Sequence, residues 1–246
     1  MIFDNPSSEV KTLKNKRESA VNTATIPVPK LEEDCYDWWE RHEEALRKQV
    51  EINPEIVLIG DSITHFWGGE PRTESIQGAP EAWNSVFSSY RVLNLGFGWD
   101  RTQNVLWRLD HGEMNGLTPR TVVILIGTNN TSETVNARAN RPEEIAEGLR
   151  AICDRVEALA PQANIIIMAV FPREQHPDHP RRKRIAEMNA LYAELAEERR
   201  YAFVDIGPQL LESDGTLSEQ TAPDFCHLTE RGYRCWANAL RPLLRR

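Results

Sequence analysis

The chain predicts an α/β fold, a central parallel sheet with helices on both faces. Five short apolar runs recur, at 56–59, 92–95, 122–126, 165–170 and 202–204. They are continuous rather than alternating, which is the pattern of strands buried on both faces. Between them lie segments of helical spacing, at 102–109, 142–160, 180–199 and 230–244. Strand followed by helix, repeated, builds parallel units with right-handed crossovers.

Taken in chain order, residues 1–30 are polar and aperiodic and end in Ile26-Pro27-Val28-Pro29. They are expected to form an extended arm over a single domain at 31–246. A helix is expected at 34–50, with Tyr36, Trp38, Trp39, His42 and Leu46 as its apolar stripe. Pro142 suits a helix start after Arg141. Sites in open α/β sheets form beyond the carboxyl ends of the strands. Ser62, the turn from Gly96 to Trp99, and Asn129 each follow such an end, so the topology places them on one edge.

The composition excludes several classes. The chain has 246 residues, 40% hydrophobic and 27% charged, with a net charge of -8. That is a balance for one globular domain with a real core. A nucleic-acid partner calls for a basic face, which this charge argues against. No apolar run reaches the roughly 20 residues of a membrane span. Met1-Ile2-Phe3-Asp4 lacks the basic start of a secretory leader. As it stands the sequence predicts a cytoplasmic protein, or an exported one if a leader has been removed. Cys35, Cys153, Cys226 and Cys235 form no C-x-x-C pair, so no zinc knuckle is expected, and reduced thiols are the default.

Four pieces carry the chemistry. Gly60-Asp61-Ser62 lies at a strand-to-helix switch, where a serine needs a neighbouring base to become a nucleophile. Alone, Ser62 better suits a helix N-cap, the commoner role. Asp224-Phe225-Cys226-His227 offers that base. Asp224 accepts the Nδ1 proton of His227, and Nε2 takes the serine proton. Alone, this D-x-x-H also reads as a capping loop. Asn129, after Gly127-Thr128, carries an amide suited to a developing oxyanion, or to a turn. The Asn94-Leu95-Gly96-Phe97-Gly98-Trp99-Asp100 turn can add a backbone N–H. All four in this order indicate a serine esterase.

These blocks resemble the GDSL, or SGNH, hydrolases over most of residues 56–243. Within that family the likeness is greatest to the catalytic subunits of intracellular platelet-activating-factor acetylhydrolases. It is carried by residues 94–98, 105–109, 123–130 and 224–233. The resemblance implies a three-layer α/β/α, flavodoxin-like domain and ester hydrolysis with neither metal nor cofactor. It maps Ser62 to the nucleophile, His227 to the base and Asp224 to its partner. Asn129 and the N–H of Ser62 map to the oxyanion hole. One position departs. The family has glycine before the block-two aspartate, where this chain has Trp99. Its N–H survives, but a non-glycine residue resists positive φ. We expect Trp99 to wall the acyl or alcohol pocket beside Gly98; Trp67 is a candidate for the entrance, with packing in the core as its default.

The expected reaction removes a small acyl group, acetyl by resemblance, from an alcohol. An acetylated carbohydrate comes first, because Trp-rich surroundings suit sugar faces. A lipid ester is the alternative, and a non-catalytic carbohydrate- or lipid-binding module a further one. His65 is expected at the cleft rim, Arg181-Arg182-Lys183-Arg184 on a solvated helix face and Trp107 in the core. The arm and Trp38-Trp39 suggest a clasp or a homodimer interface.

Overall fold

The computed structural model describes residues 21–244, and the first twenty residues of the expected arm lie outside them. Five parallel strands form one sheet: β1 (Ile56–Gly60), β2 (Val92–Gly96), β3 (Thr121–Leu125), β4 (Asn164–Met168) and β5 (Ala202–Val204), in the order β2-β1-β3-β4-β5. The pairing is continuous: Gly60 lies opposite Gly96 on one side and Leu125 on the other. β1, β2 and β3 are buried along their whole length, which explains their unbroken apolar sequence. Alternate side chains divide the core into two layers.

One layer joins Val57, Ile59, Leu93, Leu95, Val122 and Ile124 to α1 (Trp38–Ile52), α4 (Thr102–Asp110), α5 (Pro142–Leu159) and α6 (Pro180–Arg199). The other joins Ile56, Leu58, Val123 and Leu125 to α3 (Pro80–Phe87) and α8 (Glu230–Leu240). The short helices α2 (Ser62–His65) and α7 (Gly207–Leu210) complete the order. The result is the expected three-layer α/β/α fold.

Two helix ends and one further helix stand out against the sequence reading. α1 starts at Trp38 rather than 34, because the Asp37 carboxylate caps the N–H groups of Trp39 and Glu40 at 2.8 and 3.1 Å. α8 stops at Leu240 rather than 244, because Pro242 has no N–H to return to Asn238. α3 is new; Pro80 opens it and Ala82, Val86 and Phe87 bury one face.

The visible part of the arm binds α4 and α5. Thr102 Oγ1 donates to Ala24 O at 2.8 Å, Asn104 Nδ2 to Pro29 O at 2.6 Å, and Asn22 Nδ2 to Glu147 at 2.7 Å.

The chain reverses its direction of growth across the sheet between β1 and β3. A crevice therefore opens beyond their carboxyl ends. β1 delivers Ser62 to it, and β3 delivers Asn129.

Candidate active site

Ser62 is the first residue of α2, and Asp61 takes the N-cap, accepting from Ile63 N at 3.0 Å. The cap role open to Ser62 is thus filled by its neighbour. The Ser62 hydroxyl is left for His227, with Oγ 2.8 Å from Nε2. At the far side of the ring, Nδ1 lies 2.6 Å from Asp224 Oδ2. Asp224 also does what a capping loop does, since Oδ1 accepts from the N–H groups of Cys226 and His227 at 3.0 and 2.8 Å. Partial burial raises the Asp224 pKa, but the bonds from His227 and its backbone outweigh it and hold the carboxyl below its ordinary value. Phe66 lies against the imidazole, ring centroids 5.0 Å apart.

Asn129 opens a 3₁₀ turn after β3 and is 4% exposed. Its Nδ2 donates to Asp100 O at 3.0 Å, which joins block three to block two. The turn from Phe97 to Asp100 is closed by Asp100 N donating to Phe97 O at 3.1 Å. Trp99 sits in it at φ 63 and is half-buried. The turn keeps the conformation that suits glycine, at a cost of about 1–2 kcal/mol for a side-chain-bearing residue. Gly98 is buried. A Cβ there would meet Asp34 Oδ2 at 1.9 Å and Tyr36 Cε1 at 2.9 Å. Its free face is therefore packed against residues 34–36 rather than open to substrate, which corrects its expected binding role.

Behind this turn lies a buried charge network that local sequence patterns do not reveal. Arg108 Nε donates to Asp100 Oδ2 at 2.8 Å, Arg108 Nη1 pairs with Glu113, and Glu113 meets His42 Nδ1 at 3.0 Å. Trp38 Nε1 binds the other Asp100 oxygen at 2.8 Å. Arg41 and Arg108 lie over the Phe97 ring at 5.0 and 4.0 Å from its centroid. Burial pushes the Asp100 pKa up to about 6 against the pull of Arg108. Asp61 rises to about 7, also by burial. The partners are 5 to 71 residues apart, so no motif spacing betrays them.

Four other expectations are corrected or refined. Trp67 is 0% exposed and stacks on Trp236 at 4.3 Å and Tyr233 at 5.4 Å, so its indole belongs to the core, not the entrance. His65 is buried rather than at the rim. Its Nε2 lies 2.7 Å from Thr73 Oγ1, and burial lowers its pKa to about 2, so it stays neutral. The basic run is not simply solvated: Arg181 pairs with Glu174 at 2.5 Å, and Arg184 donates to Thr131 O at 2.9 Å. Trp107 packs on the rim of the core, stacked on His111 at 3.7 Å. Cys226 and Cys235 are unpaired, and burial pushes the Cys226 thiol up to about 12. Among the described residues no group of His, Cys, Asp or Glu is arranged to hold a metal ion, and no helix is long and apolar enough to cross a membrane.

A hydroxyl, imidazole and carboxylate in line at the end of a parallel sheet is the arrangement shared by serine hydrolases. Comparison with known proteins agrees: the chain belongs to the GDSL-like lipase/acylhydrolase family, whose profile matches residues 58–235. It is 36% identical over 210 residues to platelet-activating factor acetylhydrolase IB subunit alpha1 of Rattus norvegicus, covering 85% of this chain and 83% of that one. The alpha2 subunit of Bos taurus is 31% identical over 206 residues, covering 84% and 81%. Among solved structures, a GDSL-like lipase from Bacteroides thetaiotaomicron superposes with a TM-score of 0.64 at 19% identity, covering 82% of this chain and 97% of that one. An acetylxylan esterase from Geobacillus stearothermophilus gives 0.61 at 21% identity, covering 78% and 95%. These two structures bear on the fold alone.

Proposed function

We propose that the protein hydrolyses small acyl esters, acetyl esters foremost, through an acyl-enzyme on Ser62. The observation that carries this is the unbroken chain Ser62 Oγ–His227 Nε2–Asp224, at 2.8 and 2.6 Å. Ser62 attacks the ester carbonyl as His227 takes its proton. Asp224 holds the imidazole in the tautomer with Nδ1–H and balances the imidazolium. The oxyanion is received by Asn129 Nδ2 and by the N–H groups of Ser62 and Trp99. At the first position of α2, the Ser62 N–H has no partner within the helix. His227 then returns the proton to the departing alcohol, and water repeats the sequence on the acyl-enzyme.

A short acyl preference is part of this reading, with Ser62 and Asn129 both buried. The names of the 31–36% identical relatives, acetylhydrolases, agree with it. For the alcohol half, the carbohydrate reading loses the support of Trp67 and keeps that of the half-buried Trp99, proposed as a pocket wall. A lipid-ester reading gains from relatives named for platelet-activating factor. A panel of acetylated xylan, acetylated monosaccharides, an acetylated ether phospholipid and aryl esters of graded chain length tests both. Turnover confined to one alcohol class assigns it. Full activity in Ser62→Ala, or no Ser62 labelling by a fluorophosphonate, overturns the acyl-enzyme.

A further inference from the structure

The peptide joining Gly98 to Trp99 is a rigid plane in which the carbonyl and the N–H point in opposite directions. Whatever holds Gly98 O therefore sets the direction of Trp99 N–H. That oxygen accepts from Tyr36 Oη at 3.1 Å. We infer that Tyr36 is a positioning residue for ester hydrolysis, its hydroxyl fixing the Gly98–Trp99 peptide so that the Trp99 N–H faces the oxyanion. This rests on the oxyanion role proposed for Trp99.

Turn geometry explains why an anchor is needed. Trp99 is the third residue of the 97–100 turn, and its φ of 63 is that of a type II turn, where glycine is favoured. A type I turn differs mainly by a flip of the central peptide and gives the third residue a negative φ. Tryptophan prefers that state, yet it turns the Trp99 N–H to the opposite face. Glycine at 99 needs no such restraint.

The surroundings leave this restraint to Tyr36. Arg41 binds Asn94 O and Gly96 O, Arg108 binds Leu95 O, and Asp100 N binds Phe97 O. Each of those carbonyls is held by a cation or by the backbone. Gly98 O depends on one phenol. The Tyr36 ring is itself fixed, edge-on to His65 at 4.6 Å and 6.5 Å from Phe97. Burial and the nearby Asp100 carboxylate keep the phenol protonated, hence always a donor.

The test is Tyr36→Phe, alone and with Trp99→Gly, assayed on a short aryl acetate. Tyr36→Phe should lower kcat by about 10–100-fold, a part of what loss of one oxyanion donor costs. KM should stay within about twofold and the melting midpoint within a few degrees. Adding Trp99→Gly should restore most of the lost kcat, because glycine no longer favours the flipped peptide. Unchanged kcat in Tyr36→Phe, a rise in KM alone, or no rescue by Trp99→Gly overturns the assignment. The acyl-enzyme mechanism to which that oxyanion role belongs fails separately, by activity surviving in Ser62→Ala.

Discussion

The two walls of the proposed site, one for the base and one for the oxyanion, are built in opposite ways. The base wall is a short loop, with Asp224 55% and His227 35% exposed at their side chains. Its side-chain bonds run within four consecutive residues, and one longer backbone tie, Glu174 N donating to Phe225 O at 2.9 Å, joins it to the rest of the fold. The proposed oxyanion wall, from Asn94 to Arg101, is buried except at the half-buried Trp99 and is tied to residues as far away as Arg41 and Tyr36. A base must tolerate a changing charge, and partial exposure lets water share that load. An oxyanion donor is useful only if already aimed, so it is fixed by packing and long-range bonds. Damage to the first wall should therefore affect rate alone. Damage to the second should affect rate and stability together.

The largest expected effect is on the base wall. Asp224→Asn should cut kcat on the order of 10⁴-fold, by favouring the wrong tautomer of His227. The melting midpoint should barely move, since the loop keeps an acceptor oxygen. Steady-state kinetics with a thermal melt separates the two readouts, and a large stability loss breaks the contrast.

Next comes Asn129→Ala, expected to lower kcat about 10²–10³-fold. It also removes the bond to Asp100 O, so a stability loss of about 1 kcal/mol should accompany the rate loss. Urea denaturation alongside kinetics checks both.

Arg108→Met tests the network itself. Removing the guanidinium leaves Asp100 and Glu113 buried beside each other without their cation, at a cost of about 3–5 kcal/mol. A loss below 1 kcal/mol by denaturant titration sinks the idea that these charges hold the wall.

The smallest effect is a pH dependence. Burial raises the Asp61 pKa from 3.8 to about 7, so the folded protein binds this proton more tightly than the unfolded chain does. Its contribution is complete below about pH 3.8 and is lost as pH rises through about 7. Asp61→Asn keeps the cap acceptor without the titration. It should match the wild type near pH 4 and exceed it in stability at pH 8. Equal stability curves for the two proteins remove Asp61 from the account.

Legibility followed the same division. The strands were readable because burial on both faces forces continuous apolar runs, and 56–59 and 92–95 fall within one residue of β1 and β2. The triad loop was readable because Asp224 and His227 bond across three residues. Trp67 stands between entrance and core in the sequence because a tryptophan near a serine looks alike whether it faces a cleft or stacks on Trp236. Gly98 was misread because only the fold shows Asp34 and Tyr36 closing on it. α3 escaped notice because eight residues give too few turns for a clear period.

The sequence by itself determined the fold class, the order of its elements and the residue types of an esterase, because periodicity and short-range bonding are local properties of the chain. Tertiary structure alone decided which side chains are buried in the core, how the 97–100 turn is packed and which side chain holds Gly98 O. Those depend on contacts such as Tyr36 with Gly98, 62 residues apart, which exist only once the sheet has brought distant segments together.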